Sequence, residues 1–139
     1  MQALSKTILG ALTSAAAYLC YLLGGWDVTL KIMFLFMLLD YATGVIVSLL
    51  GRSPKTEHGG FLSTAAFLGI SKKLLMLVVV MMATALDRML SIDGVCRVAT
   101  IGFYVANEGL SIVENAALLG VPFPEKLLEV LAQLREKGK

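Results

Sequence analysis

Four apolar stretches, at about 7–25, 29–50, 73–91 and 96–119, take up most of this 139-residue chain. A helix needs about 20 predominantly apolar residues to cross the hydrocarbon core of a bilayer, which is roughly 30 Å thick. Runs of this length, spaced this closely, predict an all-α integral membrane protein. It has about four hydrophobic helices and a short amphipathic helix at the C-terminus. Composition agrees: 58% of residues are hydrophobic, 16% are charged, and mean hydropathy is +0.82. Soluble domains carry about 25% charged residues.

The same numbers exclude several functions. A net charge of +2 with no basic stripe gives nucleic acid nothing to bind. No nucleophile–base constellation, glycine-rich nucleotide fingerprint or metal cluster is present, so neither an enzyme nor a cofactor is expected. Cys20 and Cys96 lie in apolar surroundings and read as small buried hydrophobes. His58 lies in a polar linker with no partner ligand nearby.

Taken in order, the first stretch follows Lys6 and looks superficially like a signal peptide, with Ala15-Ala16-Ala17 as a mock cleavage site. The apolar run continues through Leu23, which argues for a retained helix. Gly24-Gly25-Trp26-Asp27 forms a turn, and Trp26 suits a membrane interface. Asp40 falls near the middle of the second stretch, where an ionised carboxylate costs about 2.5–3.5 kcal/mol on insertion scales. It should face the protein interior, as should Thr43 and Gly44 on the same face. Residues 51–60 form the polar linker, and 61–70 read as a short apolar helix at the interface, followed by Lys72-Lys73. Asp87, near the end of the third stretch, is a further candidate for an intramembrane polar contact.

The fourth stretch is the unusual one. With side chains about 100° apart around a helix, Arg97, Thr100, Tyr104, Asn107, Glu108, Ser111, Glu114 and Asn115 share an arc of about 120°. A membrane helix with such a face must keep it out of lipid, against another helix or against water. These eight residues are the candidate pore-lining or polar packing face. Glu108 and Glu114 are six apart, not on adjacent turns, which gives little support to paired-carboxylate catalysis. Residues 122–139 then form the amphipathic helix, with Pro124 in its first turn and Leu127, Leu128, Val130, Leu131 and Leu134 on one face. It is too short and too charged to span, and is expected on the cytoplasmic surface against lipid headgroups.

Four spans put both termini on one side. That side holds Lys6, Arg52, Lys55, Lys72, Lys73, Lys126, Arg135, Lys137 and Lys139; the other holds Lys31, Arg88 and Arg97. Basic residues concentrate on the cytoplasmic side, so both termini are predicted cytoplasmic. The fourth segment is an expensive lone span, and a form with this helix at the interface remains open. The residues by themselves also leave function open between a pore former, a small proton- or ion-coupled transporter, and a non-conducting scaffold.

Asn107-Glu108-Gly109-Leu110-Ser111-Ile112-Val113-Glu114-Asn115-Ala116-Ala117, followed by Gly120-Val121-Pro122-Phe123-Pro124, resembles the signature of a bacteriophage holin family. That family includes holin-like toxin-secretion proteins of clostridia. Asp40-Tyr41-Ala42-Thr43-Gly44 and Gly69-Ile70-Ser71-Lys72-Lys73 resemble its motifs in and before the middle spans. The resemblance implies a non-enzymatic protein of the bacterial cytoplasmic membrane. Such a protein forms high-order homo-oligomers and opens lesions that release endolysin, or a large protein such as a toxin, to lyse the host. The implied partners are further copies of the chain, membrane lipids, endolysin as functional partner, and an antiholin. An antiholin is itself the form that the scaffold alternative would take.

Overall fold

The computed structural model of the chain describes residues 1–54 and 63–137. Among them are helices α1 (Gln2–Leu22), α2 (Val28–Leu49), α3 (Ser63–Leu90), α4 (Val95–Leu118) and α5 (Glu125–Lys137), with no strand. Residues 55–60 of the linker, with His58, lie outside the described residues. The short interfacial helix expected over 61–70 is not separate from the third span. From Ser63 onward it belongs to α3, which runs unbroken through Lys72-Lys73. No proline interrupts that stretch, and the Ser71 hydroxyl donates back to the Phe67 carbonyl inside the helix at 2.9 Å.

Helices α2 and α3 are long and apolar enough to cross a membrane. Among the described residues, α1 and α4, at 21 and 24 residues, are long enough but are not among the helices that meet the same standard. Length and composition therefore fit a membrane crossing in two of the expected four spans.

The helices alternate in direction. Arg88 near the end of α3 donates to the Tyr21 carbonyl at the end of α1, at 2.5 Å, and lies over the Tyr21 ring. Arg97 near the start of α4 reaches Leu23 and Asp27, which flank the α1–α2 turn. At the opposite end Asn115 of α4 meets Thr43 of α2. So α2 and α4 run parallel, and α3 runs against both. The core lies between these three helices, built from Leu30, Met33 and Met37 of α2, Val80 of α3 and Ile101 of α4, with Leu23 closing one end. Among the described residues, helix α1 touches only α3 of the other helices.

Outside that core much of the surface of α1, α2 and α3 is apolar. Ile8, Leu12, Leu35, Leu38, Phe67, Leu75 and Val78 are all exposed. Patches of this extent on a monomer mark a surface built for another apolar phase, here lipid or a neighbouring helix.

Two helix starts are fixed in different ways. The Asp27 carboxylate caps α2, accepting from the Leu30 amide at 2.9 Å and the Thr29 hydroxyl at 2.8 Å. Gly94 precedes α4 and has no side chain to do this. Asp87, seven residues before Gly94 in α3 and buried, accepts from the amides of Cys96 and Arg97, both at 2.8 Å. The start of α4 is thus held by another helix. Cys20 and Cys96 are both free thiols and half-buried.

Helix α5 folds back along α4. Leu131 is its one buried residue, seated on Gly109. Farther along, Leu134 and Lys137 border a shallow cavity with Val95, Val98 and Ala99 at the start of α4. The two helices are therefore antiparallel. A Cβ on Gly109 would come within 2.7 Å of Leu131 Cδ2 and 3.1 Å of Phe36 Cε1, so any larger residue here requires the Leu131 side chain to shift.

Candidate functional site

The eight-residue polar face of α4 divides into two edges about 80° apart around the helix. Arg97, Tyr104, Glu108 and Asn115 point towards α2 and α3; Arg97, Glu108 and Asn115 are buried and Tyr104 packs on the core. Thr100, Asn107 and Glu114 lie on the other edge, seven residues apart, with Ser111 bordering them. Asn107 and Glu114 are exposed, and Thr100 and Ser111 are half-buried.

The inner edge makes three interhelical contacts, one at each level of the bundle. At the α1–α2 turn, Arg97 donates through Nε to the Leu23 carbonyl (2.6 Å), through Nη1 to Asp27 Oδ2 (2.6 Å) and through Nη2 to the Gly25 carbonyl (3.2 Å). At mid-height, Lys73 Nζ bridges two carboxylates: Asp40 Oδ2 of α2 at 2.8 Å and Glu108 Oε2 of α4. The three side chains are between 9% and 14% exposed, so the cluster is largely withdrawn from water. Asp40 Oδ1 is buried with no hydrogen-bond partner. At the far end, Asn115 Nδ2 donates to the Thr43 hydroxyl at 3.0 Å, and the same nitrogen lies 3.8 Å from where a Gly44 Cβ would stand. The Thr43 hydroxyl in turn donates to the Leu39 carbonyl at 2.9 Å.

All four residues singled out as intramembrane polar contacts therefore sit at helix junctions: Asp40 at the lysine, Thr43 and Gly44 against Asn115, and Asp87 at the start of α4. Lys73 was missed by sequence reasoning, which placed it with Lys72 at the start of the third span and gave it no partner. Two mid-span carboxylates without a cation were the available signal that a lysine should join them. The partnership of Arg97 with Asp27 was not foreseen either, because 70 residues separate them.

Asp27 lies outside the spans, and its charge has a measurable consequence. The hydrogen bond from Arg97 is the largest influence on its carboxyl; together with the Leu30 amide and the Thr29 hydroxyl it holds the carboxyl well below the usual carboxylate range, outweighing burial. A carboxylate whose folded pKa is depressed contributes stability above its unfolded pKa, about 3.9, and that contribution is lost as pH falls towards the folded value. Thermal unfolding in detergent should therefore show a fall in midpoint from about pH 5 downward. The fall should be shallower in Asp27→Asn, whose amide does not titrate. Equal slopes in the two proteins would contradict the assignment. The effect is modest, because the Asp27 side chain is 46% exposed and solvent screens the pair.

Comparisons with known proteins identify the family. The profile of the bacteriophage holin family matches residues 17–136. An uncharacterised 14.9 kDa protein of Clostridium perfringens is 39% identical over 139 residues, covering 99% of each chain. A protein of Bacillus phage phi105 described as a probable holin is 36% identical over 102 residues, covering 73% of this chain and 70% of its own. The uncharacterised YqxH of Bacillus subtilis is 34% identical over 122 residues, covering 86% of this chain and 81% of its own. No solved structure matches the chain. The matched region runs from α1 into α5 and takes in Asp27, Asp40, Lys73, Arg97, Glu108 and Asn115, and the chain belongs to the bacteriophage holin family.

Proposed function

We propose that this protein is a holin. It accumulates in the bacterial cytoplasmic membrane with four spans and both termini cytoplasmic, self-associates, and opens lesions through which endolysin or another large protein leaves. The observation that carries this reading is the open edge of α4. Asn107 and Glu114 are exposed on a bundle whose outer surface is otherwise largely apolar. A monomer in lipid leaves that edge unsatisfied, at a cost of a few kcal/mol per ionised group. Assembly removes the cost by turning the edges towards one another or towards water. Heterologous contacts between identical subunits close into rings, which favours the wet arrangement. The inner edge plays no part in lining; it holds α4 at its level against α2 and α3. No enzymatic step is invoked.

The test is induced expression in a bacterium, reading membrane potential and release of a co-expressed cytoplasmic endolysin. Wild type should depolarise abruptly and release the enzyme. Asn107→Leu with Glu114→Leu, at equal membrane levels, should release at least ten times less over the same period. A wild type that reaches high levels while the potential holds and no enzyme escapes defeats the lytic reading. The transporter and antiholin alternatives then take its place.

A further inference from the structure

Helix α5 and the spanning reading of α4 are in physical conflict. Salt-bridge geometry puts Glu108 level with Asp40, in the middle of α2, and Gly109 is its neighbour. Leu131 sits on Gly109, so the docked α5 lies beside the middle of the bundle. Its charged residues Glu125, Lys126, Glu129, Arg135, Glu136 and Lys137 all face outward and are exposed. Among the described residues these form one ion pair, Lys126 with Glu129, itself open to solvent. No bilayer accepts six such groups in its hydrocarbon at that depth.

Helix α5 lies close along α4 but buries little side chain there. One residue of α5 is buried. The seat is a notch between Gly109 and Phe36, and among the described residues no hydrogen bond or ion pair joins α5 to helices α1–α4. Residues 120–124 join the helices through Gly120, whose φ is +78°, and through Pro122 and Pro124, which cannot continue α4. Detached, α5 retains an apolar face of Leu127, Val130, Leu131 and Leu134 and a charged one, the pattern of a helix that lies in the headgroup layer.

We propose that α5 leaves α4 when the bundle occupies a bilayer, moves to the cytoplasmic headgroup layer, and uncovers the notch at Gly109 and Phe36. Docking of α5 and lipid exposure of that face of α4 are mutually exclusive. This rests on the spanning reading of α4 and not on lesion formation.

The test uses the full chain with Cys20→Ser, Cys96→Ser and Gln133→Cys, the last on the exposed side of α5. A fluorophore on that cysteine is read in vesicles of phosphatidylethanolamine and phosphatidylglycerol. The vesicles carry nitroxide quenchers either at the headgroup or at the end of the acyl chain. Headgroup quenching at least threefold stronger than chain-end quenching is the expected result. Adding Gly109→Cys with Leu131→Cys, oxidised to a disulfide, pins α5 at mid-height and calibrates the deep position; reduction should restore the headgroup pattern. Chain-end quenching equal to or stronger than headgroup quenching in the unpinned protein overturns the proposal, and so does quenching by neither. Dye release from the same vesicles is scored separately. A headgroup position without release counts against the lytic reading alone, and release with a deep position counts against the α5 proposal alone.

Discussion

Lys73→Met is expected to lower the stability of the bundle by about 3–5 kcal/mol, the cost of leaving a buried ion cluster without its partner. Lys73 is the cation of a cluster shared by α2, α3 and α4, and it pairs with carboxylates on both neighbouring helices. Methionine fills similar volume and leaves Asp40 and Glu108 facing each other with no positive charge between them. The size of the effect comes from those stranded carboxylates, more than from the net value of the pairs. A triple variant, Lys73→Met with Asp40→Asn and Glu108→Gln, should therefore recover most of the loss. Denaturant unfolding in detergent measures both. A single variant within about 1 kcal/mol of wild type would show that water reaches the cluster and screens it.

Arg97→Leu is expected to cost about 2–4 kcal/mol, because it leaves the Leu23 and Gly25 carbonyls and Asp27 without their donor. The Leu23 carbonyl bond is buried, so little water replaces the guanidinium there. Arg97→Lys should recover little, since one ammonium cannot reach three acceptors spread around a planar fork. Gly24 has a φ of +84°, and a Cβ there would stand 2.5 Å from Arg97 Nε. Gly24→Ala is thus expected to disturb the same junction from the opposite side, through both strain and contact. If Arg97→Lys unfolds at the wild-type midpoint, the charge and not the fork holds the α1–α2 turn.

These two residues show where sequence reasoning ended. The apolar runs and the turn residues between them placed the five helices to within a few residues, except that α3 begins well before Lys72. Helical spacing likewise identified the polar face of α4, because periodicity is a local property of the chain. How that face is shared is not local. Glu108 and Glu114 read alike in sequence, yet Glu108 is buried against Lys73 while Glu114 is exposed. The distinction depends on how far α4 is rotated about its own axis against α2 and α3, and packing at Ile101, Tyr104 and Gly44 sets that rotation.

The amino-acid sequence by itself determined the helical class, the membrane character and the polar face, since each follows from composition and period along one segment. Tertiary structure alone decided the partners: Lys73 for Asp40 and Glu108, Arg97 for Asp27, Asp87 for the start of α4, and Leu131 for Gly109. Each joins residues from different helices. A buried charge or an uncapped helix end states that it needs a partner, and only the packed arrangement of helices brings a particular one within reach.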